Sequence, residues 1–218
     1  MELETGAVAA VILAAGEARR AGGPKSVWPV RGTPSVRRVA LAALNAPGID
    51  AVTVVTGAWA PDVRAALAGL PLGLVHNPDY AEGQAGSVAS AVRAMSAGCR
   101  TAIFFVADQP FVASQMIGDL IKFHLERKAS MTAPFFQGRR RSPMVFDLGR
   151  WAQALINLRG DQGGRALAEA YPRELTLWPC DGLEAEIFLD FDTAEDYRSL
   201  TPAEPAQGAA TNKRSDCD

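Results

Sequence analysis

The chain has 218 residues, 48% of them hydrophobic and 21% charged, with a formal net charge of −2. That length buries a full core, and the near-neutral balance excludes the broad basic surface of a general nucleic-acid binder. No apolar run approaches the ~20 residues that cross a bilayer, the acidic start Met1–Gly6 lacks a signal pattern, and the isolated Cys99, Cys180 and Cys217 form no CxxC. The chain therefore reads as cytoplasmic, with neither a zinc site nor a disulfide framework.

Short β-rich runs alternate with helical segments. Val8–Leu13 is the first predicted strand. Ser35–Leu44 follows Pro34 and is predicted as a helix capped by Ser35. A strand at Ala51–Thr56 precedes a helix at Pro61–Leu70, whose Pro61 and Asp62 suit a first turn. Next come a strand at Gly73–His76 and a helix at Ser87–Ala97, capped by Ser87 and stopped at Gly98. A strand at Ala102–Val106 leads to the longest helix, Ser114–Lys128. The remainder is less regular. Met131–Pro134, Met144–Phe146 and Glu174–Leu177 are predicted strands, and Trp151–Leu158 and Arg165–Ala170 predicted helices, expected as a small C-terminal lobe over an acceptor substrate. This alternation predicts a three-layer α/β fold with a mostly parallel sheet. Residues 1–200 read as one domain, and residues 201–218, small and polar, as a disordered tail. Ligands of such sheets bind beyond the carboxyl ends of the strands, which puts the loops after Leu13 and Val106 on one side.

The loop after Leu13 carries the clearest chemical signal: Gly16, Arg19, Arg20, Gly22, Gly23 and Lys25 within ten residues. A buried strand feeding such a loop places backbone N–H groups and cations around phosphates. Each charge-assisted hydrogen bond there is worth roughly 1.5–3 kcal/mol. Pro24 stands where a Walker A loop needs Gly before its Lys, and Ala18 where the dinucleotide fingerprint needs its second Gly, so neither motif applies. Farther on, an apolar strand ends in Asp108-Gln109-Pro110. A carboxylate there is placed to bind Mg²⁺ and, through it, phosphate; capping a turn is its other ordinary role. The run Leu189–Asp196 supplies Asp190 and Asp192, while Thr193 and Asp196 have capping-box spacing, so Glu195 and Asp196 are assigned to starting a helix. Between His76 and Ser87 the glycines permit close backbone approach. His76 reads as a strand-end residue and His124 as structural. Arg139, Arg140 and Arg141 form either a receptor for an anion or an exposed basic turn. No HExxH, GxSxG or Ser/His/Asp set is present.

From Val8 to Tyr197 the chain resembles the MobA-like nucleotidyltransferases. Their signature, approximately L-A-[AG]-G-x-S-x-R-M-G-x-x-K-x-L-x-P, is met by Leu13, Ala14, Ala15, Gly16, Arg20, Gly22, Lys25 and Pro29, with Ala18 and Ala21 replacing Ser and Met. Asp108-Gln109-Pro110 is similar to the family's L-x-x-D-Q-P segment. Leu189–Asp196 is similar to D-[IV]-[DN]-T-P-E-D, with Ala194 for Pro. Gly160, Asp161, Gly163 and Arg165 match G-D-x-G-A-R, whereas Arg141 and Ser142 replace the Gly and His of G-x-x-G-H-P.

The resemblance implies a Rossmann-like nucleotidyltransferase fold. It implies nucleotide binding by Leu13, Ala14, Ala15, Gly16, Lys25, Gly83, Gly86 and Ser87, catalytic roles for Arg20, Lys25 and Asp108, and Mg²⁺ ligation by Asp108 and Asp192. Arg140, Arg141, Asp161 and Arg165 fall on the acceptor side. The resemblance is closest to the molybdenum cofactor cytidylyltransferases, because Leu-Ala-Ala-Gly matches the CTP-using branch. The implied reaction moves CMP from CTP onto a phosphorylated acceptor such as the molybdopterin cofactor and releases pyrophosphate. A partner enzyme would receive the product; neither nucleic acid nor membrane is implied. Nicotine blue oxidoreductases resemble the same family. An NAD(P)H-dependent reductase on this fold, with Trp28 and the altered Arg141-Ser142 region leaving room for a flat aromatic substrate, is the alternative.

Overall fold

The computed structural model describes residues 6–95 and 98–201. Of the expected tail, 202–218 lies outside the described residues. In chain order, β1 (Ala7–Ala14) is followed by a hairpin of β2 (Pro29–Val30) and β3 (Thr33–Pro34), then α1 (Ser35–Leu44), β4 (Ala51–Thr56), α2 (Ala60–Ala66), β5 (Gly73–His76), α3 (Gln84–Ala94), β6 (Cys99–Val106) and α4 (Ser114–Glu126). The chain continues through β7 (Met131–Phe136), β8 (Arg139–Arg140), β9 (Met144–Asp147), α5 (Leu148–Ile156), α6 (Gly164–Ala170), β10 (Leu175–Pro179) and α7 (Ala194–Leu200).

The main sheet has the order β10-β7-β9-β6-β1-β4-β5, with β8 folded back on β7. β9 runs antiparallel to β6 and β7, and β8 antiparallel to β7; the other pairings are parallel. The strands expected to form a C-terminal lobe extend this same sheet. β1 is apolar on both faces, as a central strand covered by helices on both sides must be. Val8, Ala10 and Ile12 pack against Val36, Val39 and Ala40 of α1 and Met116, Ile117 and Leu120 of α4. On the other face Val88 and Val92 of α3, Trp151 and Leu155 of α5 and Leu167 of α6 close over Ala102, Met131 and Phe146. This is the three-layer α/β architecture.

Two expected caps are corrected. The Ser35 hydroxyl does not cap α1; it is fully buried and donates to the Ala107 carbonyl oxygen at 2.6 Å, so it ties α1 to the end of β6. Ser87 lies inside α3, which begins three residues earlier at Gln84, and its hydroxyl accepts from Asn77 Nδ2 at 3.0 Å. In both cases a hydroxyl suited to a local cap is taken by a distant partner, because a buried polar group must be paired. α3 ends at Ala94 with Met95 extended, short of Gly98. The capping box at Thr193 and Asp196 is present as expected. Cys99 and Cys180 are free thiols. Among the described residues no helix is long and apolar enough to cross a membrane.

Candidate active site

Parallel pairing places Leu13 of β1 opposite Val106 of β6, and the Ala107 N–H donates to the Leu13 carbonyl at 3.1 Å. The loops that follow both strands therefore emerge side by side. They border a cleft of about 470 Å³ lined by Leu13–Arg20, Lys25, Ser26, Tyr80, Ala81, Gly83, Gln84, Ser87, Val106–Asp108, Asp161 and Asp192. Of the residues expected at the nucleotide, Leu13, Ala14, Ala15, Gly16, Lys25, Gly83 and Ser87 line it. Gly86 does not; a Cβ there would stand 3.1 Å from Asn77 Nδ2, so its small size serves packing beneath the cleft.

The first loop is braced from β4. The Ala58 N–H donates to the Ala15 carbonyl at 3.1 Å, and Trp59 Nε1 donates to the Glu17 carbonyl at 3.1 Å. Gly57 is required there, because a Cβ would stand 2.5 Å from the Ala15 carbonyl oxygen. The Ala15 methyl is buried with Val11, Val55 and Ala91. Ala18 has φ +54°, which costs a non-glycine residue roughly 1 kcal/mol, and its carbonyl accepts from the N–H groups of Ala21 and Gly22.

Lys25 stands at the centre of the charged cluster. Its Nζ donates to Asp108 Oδ2 at 2.5 Å, to Asp192 Oδ1 at 2.8 Å and to the Phe191 carbonyl at 3.0 Å. Arg20 Nη2 reaches Asp192 Oδ2 at 3.1 Å. Burial alone would lower the Lys25 pKa, but the Asp108 and Asp192 carboxylates outweigh it and the ammonium is held above its ordinary value. The hydrogen bond from Lys25 in turn holds Asp192 below the usual carboxylate range. Asp190, beside them, is pushed up by burial and then by the like charges of Asp108 and Asp192. Asp108 Oδ1 is buried without a hydrogen-bond partner. An orphaned carboxylate oxygen, with a second carboxylate held on the same ammonium, fits a hard divalent cation. Among the described residues no group of three or more His, Cys, Asp or Glu gathers for a metal. Two carboxylates plus substrate phosphates are an ordinary set for Mg²⁺.

Asp192 is set by its own helix start. Asp196 Oδ2 accepts from the backbone N–H of Asp192 at 3.1 Å and of Thr193 at 2.9 Å, and from the Thr193 hydroxyl at 2.8 Å. Tyr197 donates from its hydroxyl to the Pro29 carbonyl at 2.6 Å and packs with Trp28 and Phe191. Trp28 is held in this aromatic cluster and is not among the residues lining the cleft.

The far wall comes from α3 and the 159–163 loop. The Ala85 N–H donates to the Gly160 carbonyl at 3.0 Å. Gly83 has φ +110°, and a Cβ there would stand 2.7 Å from the Asp161 nitrogen, so glycine is needed for both reasons. Asp161 joins the cleft. The other expected acceptor residues do not: Arg140, Arg141 and Arg165 line a separate shallow depression with Arg139, Leu175 and Leu177. There Arg140 and Arg165 pair with Glu169 at 3.1 and 2.9 Å. Gln84, Tyr80, Ser26 and Trp59 were not singled out from the sequence. They belong to no distinctive pattern, and only the pairing of β1, β4 and β6 brings them together.

Residues 10–175 match the family model described as the MobA-like NTP transferase domain. No curated protein matches the chain. Among solved structures the chain is similar to Rv0371c of Mycobacterium tuberculosis H37Rv, with 27% identity, a TM-score of 0.78, and coverage of 91% of this chain and 99% of that one. A manganese complex of Rv0371c aligns with 26% identity and a TM-score of 0.75, covering 89% and 97% of the two chains. A nucleotidyl transferase from Methanothermobacter, at 21% identity, shares the fold with a TM-score of 0.72 over 89% of this chain and 95% of that one. The loop after β1, the strand-end carboxylate and the model match over most of the chain agree: this chain belongs to the MobA-like NTP transferase family.

Proposed function

We propose that the chain is a divalent-metal-dependent nucleotidyltransferase that moves CMP from CTP onto a phosphorylated acceptor such as the molybdopterin cofactor. The observation that carries this reading is the convergence of Lys25, Arg20, Asp108 and Asp192 at the mouth of a cleft walled by the loop after β1. The cations and the loop N–H groups suit a triphosphate, and the carboxylates suit Mg²⁺ or Mn²⁺; the manganese complex of Rv0371c supports a divalent ion. CTP is favoured over GTP by the Leu13-Ala14-Ala15-Gly16 opening.

In the reaction an acceptor phosphate oxygen attacks the α-phosphorus of CTP. The new P–O bond forms as the bond from the α-phosphorus to the α–β bridging oxygen breaks, and pyrophosphate leaves with that oxygen. The acceptor is already ionised, so no protein base is required. A divalent ion held by Asp108 and Asp192 supplies Lewis-acid neutralisation of phosphate charge. Lys25 and Arg20 bind phosphate oxygens, and the Ala15–Gly16 backbone orients the nucleotide; catalysis is positioning and electrostatics. Asp161 in the cleft, with Arg140, Arg141 and Arg165 at the edge of the sheet, forms the proposed acceptor side.

The test is thermal unfolding with CTP, GTP, ATP, UTP or NADPH, each with and without Mg²⁺. A ligand at 100-fold its dissociation constant stabilises by about 2.7 kcal/mol, roughly 5–10 °C for a domain of this size. The expected result is a Mg²⁺-dependent shift with CTP that is absent in Asp108→Asn. A metal-independent shift with NADPH and none with any nucleoside triphosphate would overturn the reading in favour of a reductase.

A further inference from the structure

The four oxygens of the two carboxylates are not equivalent. Lys25 holds Asp108 Oδ2 and Asp192 Oδ1, Arg20 holds Asp192 Oδ2, and Asp108 Oδ1 alone has no partner. Both oxygens of Asp192 are thus engaged by cationic side chains. The Lys25 ammonium donates to both aspartates and is 19% exposed, so its charge stands where an ion shared by the two carboxylates would bind. Arg20, 75% exposed, is free to swing away; Lys25 is also anchored on the Phe191 carbonyl.

We infer that Lys25 is a built-in competitor of the divalent ion: it bridges Asp108 and Asp192 until triphosphate oxygens draw it off, and the ion then takes the carboxylates. This inference rests on the metal assignment made above and concerns how that site is regulated. A Lys25 ammonium at 2.5–2.8 Å from both carboxylates repels a divalent ion and leaves Asp108 Oδ1 as the one oxygen of the pair without a partner. The triphosphate offers the ammonium a replacement set of anionic oxygens. Nucleotide and ion therefore promote each other's binding through one side chain, and linkage makes that promotion reciprocal. The consequence for the chemistry is that the ion is loaded together with its substrate, so the carboxylates are not left holding a metal with nothing to transfer.

The test uses Mn²⁺ alone, with free Mn²⁺ read by electron paramagnetic resonance and no nucleotide present. Wild type is expected to bind Mn²⁺ weakly, and Lys25→Met at least ten-fold more tightly; Lys25→Gln serves if the methionine variant does not fold. Arg20→Gln removes the same formal charge from an exposed site and is expected to change Mn²⁺ affinity less than three-fold. Equal or weaker Mn²⁺ binding by the Lys25 variants, with binding still lost in Asp108→Asn, overturns the competition and leaves the metal site standing. Absence of Mn²⁺ binding in wild type and in both Lys25 variants overturns this inference, and the metal reading falls with it if Mn²⁺ binding is also absent when CTP is present. A second measurement needs only the wild-type protein: reductive methylation of lysines followed by mass spectrometry. Saturating Mn²⁺ is expected to raise Lys25 labelling several-fold, and unchanged labelling at saturation rejects the displacement.

Discussion

At the scale of single residues, Asp108 and Lys25 do different work although they touch. Asp108 offers an unpartnered buried oxygen to a cation, so Asp108→Asn removes charge while keeping shape. The expected outcome is loss of turnover by about 10²–10³-fold, the range for removing one preorganised electrostatic partner, with the unfolding temperature within a few degrees of wild type. Steady-state pyrophosphate release and circular dichroism check the two halves. Lys25→Ala should weaken CTP binding measured with Mg²⁺ by about 10–100-fold, the equivalent of one charge-assisted hydrogen bond of roughly 1.5–3 kcal/mol; unchanged affinity removes Lys25 from the phosphates. These residues were legible before the fold because special chemistry clustered at strand ends. Gly86 and the Ser35 and Ser87 hydroxyls were not, because their partners, Asn77 and the Ala107 carbonyl, are 9, 10 and 72 positions away.

At the scale of elements, two junctions are open to measurement. His124 on α4 is buried, and its Nδ1 lies 2.8 Å from the Thr132 hydroxyl on β7. Burial lowers its pKa from 6.5 to about 4, against a smaller opposing pull from Asp147. The unfolded chain therefore takes up a proton near pH 6.5 that the folded chain refuses until about pH 4. Stability from this group is complete above pH 6.5 and falls as the pH drops towards 4, by up to about 3 kcal/mol. Urea unfolding at pH 7.5 and 5 should show about 2 kcal/mol of that loss, and His124→Gln should flatten it. The second junction is Gly83 against Gly160. Gly83→Ala meets both the positive φ and the 159–163 loop, and should destabilise the protein by roughly 1–3 kcal/mol and raise KM for the acceptor more than it lowers kcat. The longer strands were readable from their apolar runs, whereas the two-residue β2, β3 and β8 were not. The antiparallel placement of β9 between β6 and β7 was not, because it is a long-range pairing that no local pattern encodes.

At the scale of the whole molecule, six parallel strands share one carboxyl edge, and the site draws on that edge from residue 13 to residue 192. The fold class was legible from the β–α alternation. The separation of the acceptor residues was not: Asp161 faces the cleft, whereas Arg140, Arg141 and Arg165 gather with Leu175 and Leu177 around the β7–β10 edge. If one acceptor spans both places, Arg141→Gln should raise KM for that acceptor at least ten-fold and leave the CTP-induced thermal shift within 1–2 °C of wild type. An equal loss of both would place Arg141 in the fold, not at a substrate.

Asp192 stands within the last ten described residues, on a segment fastened by Tyr197 to the Pro29 carbonyl after both main cores are already complete. A clipped chain ending near Leu189 would keep both main cores but lose Phe191, which is buried with Val30 and Phe111, together with the second carboxylate. One stretch of chain thus closes the small apolar cluster around Phe191 and delivers Asp192 to the cleft, so a proteolytic cut before it would disturb both together.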